Sequence, residues 1–145
     1  MRALKLPEFE VKRKDNTIFC LIRKKWIVLT PEEWVRQHFI NLLIAHLGYP
    51  KGMFKLEHSM SYFKNQKRSD IIILDRAGNV FLLVECKSPN VKLDQKVVNQ
   101  VAEYNKVLNS KYLAITNGLN NFIWKKGDSE FNQINEFPGY MFYEK

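Results

Sequence analysis

The sequence predicts an α/β fold: a central sheet flanked by helices, in the order α-β-β-β-α-β-β. Three observations carry that expectation. Residues 71–74 and 80–84 are continuous apolar runs, as in strands covered on both faces. The intervening Asp75-Arg76-Ala77-Gly78-Asn79 reads as a tight turn, with Gly78 able to take positive φ. Helical periodicity brackets the pair, through Val35, Phe39, Leu42, Leu43 and Leu47 before it and Val97, Val101 and Leu108 after it.

Taken in order, residues 1–16 are mixed and polar, an arm or an edge addition. Residues 17–22 and 26–29 form a short hairpin around Arg23-Lys24-Lys25. Thr30-Pro31-Glu32-Glu33 starts the first helix: a threonine cap, proline at the first helical position, acids in the first turn. That helix runs to about His46, and Gly48 and Pro50 end it. Phe54, Leu56, Met60 and Tyr62 alternate with polar residues as a half-exposed strand, and residues 64–69 are a basic loop. A second helix spans 93–108. Strands follow at 112–116 and 121–125 around an Asn117-Gly118 turn, and the tail adds an edge strand near 131–134.

At 145 residues the chain is expected to form one domain: an arm over 1–16, a core over 17–126 and a C-terminal extension over 127–145. No apolar run approaches the length of a membrane span, and the N-terminus lacks a signal-peptide core, so no membrane partner is expected. Cys20 and Cys86 fit neither a zinc site nor a disulfide framework, which points to a reducing cytoplasm. The net charge of +8 favours an anionic partner.

Against this apolar background, Asp70, Glu85 and Lys87 stand at one end of the central hairpin. A turn at Ala77-Gly78 sets position 70 opposite position 85, with Cβ atoms about 5 Å apart. Glu85 and Lys87, two residues apart, share a strand face. Like charges buried together are costly unless a cation lies between them, and a hard divalent ion held by carboxylate oxygens is the simplest remedy. Glu-x-Lys alone is a weak signal, since Glu10-Val11-Lys12 repeats it in a polar segment. Glu32, three and seven residues before Val35 and Phe39, is the expected inward acid of the first helix, with Glu33 as substitute. Gln100 and Tyr104 fall within the stripe of the second helix, where a buried pair needs polar partners. Arg36 either contacts phosphate or pairs with Glu32 one turn back. Lys67 and Arg68 adjoin Asp70 and are candidate phosphate contacts. His38, His46 and His58 lack ligand spacing, and Trp26, Trp34 and Trp124 read as packing residues.

The stretches LTPEEWVRQHFINLL, KRSDIIILD, FLLVECKSP, NQVAEYNKVL and YLAITNG carry a resemblance. As a set they resemble the PD-(D/E)xK nuclease superfamily and, more narrowly, the N-terminal nuclease domain of the type I restriction enzyme R subunit. Ser69 stands where the superfamily name has proline. The R subunit also has ATPase motor domains, and this chain contains no GxxxxGK[ST] phosphate loop. The resemblance implies a restriction-endonuclease-like core with a mixed sheet and magnesium- or manganese-dependent DNA hydrolysis. Asp70, Glu85 and the main-chain carbonyl of Cys86 would bind the metal, and Lys87 would orient or activate the attacking water. Gln100 and Tyr104 resemble the extra Gln-x-x-x-Tyr motif beside that site. DNA is the implied partner. Cutting both strands needs two sites, which admits a homodimer. Two other readings stand beside the enzyme: a nucleic-acid-binding module without turnover, and a subunit active only with translocase or specificity partners.

Overall fold

The structure is a computed structural model that describes residues 1–56 and 70–140, with side chains left out over 104–108. The expected strand over 54–62 is described only at β4 (Phe54–Lys55). His58, Lys67 and Arg68 lie outside the described residues.

Six strands form one sheet in sequence order: β4, β5 (Ile71–Leu74), β6 (Val80–Cys86), β7 (Tyr112–Thr116), β8 (Asn121–Lys126) and β9 (Phe131–Ile134). Only β6 and β7 run parallel, because only they are joined by a helical crossover, α2 (Gln95–Leu108). The mixed sheet and the edge strand at β9 are as expected. The turn between β5 and β6 forms where the sequence places it. The Asp75 carboxylate accepts the N–H groups of Ala77 and Asn79, both at 2.9 Å, and Gly78 takes φ of +87°.

Apolar residues divide by strand alternation onto the two sheet faces. Ile71, Ile73, Leu82, Val84 and Ala114 pack toward α1 (Pro31–Asn41). Ile72, Leu83, Leu113 and Ile115 pack toward Val101 and Val97 of α2. This two-sided cover explains why β5 and β6 lack polar alternation.

The first helix differs from expectation at its end. Its α portion stops at Asn41 and widens into a π-turn over Leu42–His46, where Leu47 N–H donates to the Leu42 carbonyl at 3.1 Å. All residues from Val35 to Ile40 are buried, so the helix has no single stripe. The N-terminal segment covers its second flank: Leu6 is buried, and the Trp34 indole donates to the Arg2 carbonyl at 2.8 Å. The expected hairpin is also there as β2 (Thr17–Phe19) and β3 (Trp26–Val28), with a third strand, β1 (Arg13–Lys14), added from the polar arm. Gly118 lies under that arm at φ of +84°, and a Cβ there would meet Leu4 Cδ2 at 2.7 Å.

His38 is a core histidine. Its Nδ1 lies 2.8 Å from the Trp34 carbonyl, so Nδ1 carries the proton, and its ring meets Phe9 edge-on. Burial lowers its pKa below the ordinary 6.5, against the opposing effects of that hydrogen bond and of Glu8. The unfolded chain therefore binds the proton first as pH falls. Stability is full above the unfolded value of 6.5 and declines below it. Urea unfolding at about pH 7.5 and about pH 5.5 checks this, with His38→Phe expected to lose that part of the pH slope.

Candidate active site

The strand register decides whether the three charges meet. Ile71 pairs with Val84, Ile72 with Leu83 and Ile73 with Leu82. One further step sets Asp70 opposite Glu85. A bulge between Ile73 and Leu74 shifts the register only beside the turn. Since Ile72 and Leu83 lie on the α2 side, alternation puts Asp70 and Glu85 on that face as well. Lys87 N–H donates to the Thr116 carbonyl at 2.8 Å, which prolongs the β6–β7 ladder past Cys86. Lys87 thus takes the next position on the same face as Glu85.

The two acids are deeply buried, Asp70 at 0% exposure and Glu85 at 2%, while Lys87 is half-buried. Glu85 Oε2 is buried without a hydrogen-bond partner among the described residues. An ionised oxygen in that position costs several kcal/mol unless a cation or polar group reaches it.

Arg36 links this strand end to α1. Its guanidinium is 1% exposed and its Nε donates to Glu33 Oε2 at 2.7 Å. Its Nη1 donates to the main-chain carbonyls of Leu56, at 3.4 Å, and Asp70, at 3.5 Å. Gln37 donates to the same Glu33 oxygen at 2.9 Å and accepts the Leu21 N–H at 3.0 Å. Burial pushes the Cys86 thiol well above its ordinary range. Arg36 opposes that shift, and Asp70, Glu85 and Glu33 add to it. Lys87 follows Glu85 by two residues on this strand.

These contacts correct three expectations. The inward acid of α1 is Glu33, at 6% exposure, whereas Glu32 is half-buried at the helix start. Glu32 does lie above the Val35–Phe39 stripe, but in the first turn it projects beyond the core. Glu33 faces the hairpin side of the helix with Arg36 and Gln37, where Gln37 accepts the Leu21 N–H. Arg36 pairs with Glu33 rather than Glu32, and a buried guanidinium with three acceptors does not present itself to phosphate. Gln100 is exposed: the covered line of α2 runs through Val97 and Val101, and among the described residues none covers the flank beside it. The Tyr104 side chain lies outside the described residues. Trp34 and Trp124 pack as expected, but Trp26 is 45% exposed.

Asn117, which sequence reasoning treated only as a turn residue, braces the loop after Lys87. It is 4% exposed, donates to the Val91 carbonyl at 2.9 Å and accepts the N–H groups of Leu119 and Asn120. An Asn-Gly turn following a buried strand was the available signal.

The donor set fits a small hard cation. Among the described residues, no three His, Cys, Asp or Glu side chains form a cage by themselves. Magnesium does not require one: it takes one or two carboxylates and keeps several waters. Asp70 and Glu85 would supply the carboxylates, and they stand at the carboxyl ends of the parallel strands, where open α/β sheets bind ligands.

Among the described residues no helix is long and apolar enough to cross a membrane. No curated protein and no solved structure matches the chain. A family model does, that of the type I restriction enzyme R protein N terminus (HSDR_N), over residues 31–138. That span runs from the first residue of α1 past β9 and contains Asp70, Glu85 and Lys87. The chain belongs to the type I restriction enzyme R protein N-terminal family.

Proposed function

We propose that the protein is a metal-dependent endonuclease that hydrolyses DNA phosphodiester bonds at Asp70, Glu85 and Lys87. The observation that carries this reading is the buried acid pair at the sheet end, level in register and on the same face as Lys87. Asp70 and Glu85 would hold magnesium or manganese, with the Cys86 carbonyl as a third oxygen. Such an ion supplies charge stabilisation at the scissile phosphate and a lowered pKa for an attacking water.

The remaining roles belong to the chain. Lys87 donates hydrogen bonds from a compact ammonium, suited to orienting a water and to stabilising charge as the P–O bond breaks. Arg36 fixes the Asp70 main chain, Glu33 holds Arg36 and Gln37 braces Glu33, so these act as positioning residues.

Incubation with supercoiled, linear and single-stranded DNA in magnesium or manganese tests the reading. Cleavage by the wild type and its loss in Asp70→Ala, Glu85→Ala and Lys87→Ala is the expected result. Persistent cleavage by all three purified variants discards it. Family membership favours one addition: the domain acts alongside other restriction-system subunits. Cleavage that emerges only on mixing with such subunits identifies that case.

A further inference from the structure

The strongest charge concentration in the chain lies outside the site described above. From Lys12 to Val28, Lys12, Arg13, Lys14, Arg23, Lys24 and Lys25 stand against Asp15 alone. That is a surplus of five in a chain whose whole net charge is +8. The stretch folds as the three-stranded sheet β1–β3, and the loop from β2 to β3 carries Arg23-Lys24-Lys25.

This loop is fixed to the body of the protein. Leu21 N–H donates to Gln37 of α1, Cys20 N–H to the Lys25 carbonyl and Lys24 N–H to the Cys20 carbonyl. Lys24 is held at φ of +55°, an uncommon conformation for a residue with a side chain. Between the hairpin and the start of α1 lies a groove of about 680 Å³. Arg23, Lys25 and Trp26 line one wall, and Glu32, Glu33 and Arg36 the other. Trp26 is 45% exposed there and meets Phe19 edge-on at 5.4 Å, which braces the ring while leaving area free.

Arg36 lines the groove and also donates to the Asp70 carbonyl, so the groove abuts the end of the sheet where Asp70 and Glu85 lie. Another basic pair, Lys125-Lys126, is exposed toward the opposite end. Lys125 pairs with Tyr112, which is level with Leu82, four residues before Cys86 at the site's end of β6.

We propose that this groove is the track for one phosphodiester backbone of a nucleic acid, gripped by Arg23 and Lys25 of its wall with Lys24 exposed on the same loop, and with Trp26 as a stacking platform. Phosphates complement the Arg23-Lys24-Lys25 cations of the hairpin loop, on the side of the groove away from Glu32 and Glu33, and their neutralisation releases condensed counterions. An exposed, braced indole beside such a strip accepts an unstacked base. The track rests on the nuclease reading only for its destination, the acids at 70 and 85. The grip itself needs no cleavage.

Binding is therefore measured without divalent metal, by fluorescence anisotropy of a labelled oligonucleotide in EDTA, as single strand and as duplex. Lys24→Glu/Lys25→Glu is expected to weaken binding about tenfold or more and to lower the salt slope by about two. Lys25→Glu alone, which leaves the left-handed Lys24 in place, acts in the same direction. Trp26→Ala weakens the single strand by about tenfold and the duplex less. Lys125→Glu/Lys126→Glu, with the same change in net charge, shifts affinity less than the hairpin pair. Equal losses in the two lysine pairs, unchanged affinity in the hairpin variants, or no binding by the wild type overturns the proposal. A protein that cuts DNA while its hairpin variants bind normally refutes the track and spares the nuclease reading. One that binds through the hairpin and cuts with no metal does the reverse.

Discussion

Glu85→Gln should reduce DNA cleavage by at least about 10²–10³-fold, the loss that removal of a single charge-stabilising group produces in comparable chemistry. Glutamine keeps the volume and one oxygen but removes the charge that holds a cation. The same substitution should raise the melting temperature in EDTA. The wild-type carboxylate is 2% exposed, and its Oε2 finds no hydrogen bond among the described residues, so neutralising it relieves a desolvation cost. Opposite signs on activity and on metal-free stability separate a site residue from a structural one, whose loss lowers both. A plasmid-nicking assay and a thermal melt in EDTA, on the same preparation, check the pair.

Arg36→Ala should destabilise the fold by about 3–5 kcal/mol, the cost of breaking a buried ion pair by removing one partner. It strands the Glu33 carboxylate at 6% exposure and removes a donor from the carbonyls of Leu56 and Asp70. Against a total stability of about 5–15 kcal/mol, that is a large share. The double variant Glu33→Gln/Arg36→Met should recover much of the loss, because no buried charge is left over. Urea denaturation of the wild type, both single variants and the double variant gives the coupling directly. A double variant no more stable than Arg36→Ala contradicts the pairing as the source of the effect.

The central hairpin was legible in the sequence because its signals agree. Unbroken apolar runs, an Asp-initiated turn and Gly78 all specify the same pair of strands, and the bulge beside Leu74 is confined to the turn end. The level placement of positions 70 and 85 followed from that register. The acid of α1 was not legible in the same way. Apolar periodicity locates one buried face, and α1 has others: Trp34 and His38 meet the N-terminal arm, while Glu33, Arg36 and Gln37 face the hairpin and the sheet end. The spacing Glu33, Arg36, Gln37 was the remaining clue, since neighbours three and four apart meet on a helix. Gln100 misled for the opposite reason. It stands next to Val101 in sequence, but a helix covered on one side solvates its flanks. β1 escaped notice because Arg13 and Lys14 are exposed and carry no apolar pattern.

The account depends on Asp70 and Glu85 being held together for a divalent ion. Calorimetric titration of the purified protein with manganese measures this without DNA, partners or turnover. The wild type should bind a single ion, and Asp70→Asn and Glu85→Gln should each weaken that binding by about tenfold or more. Wild-type affinity retained in both variants, or no binding by the wild type, would contradict it.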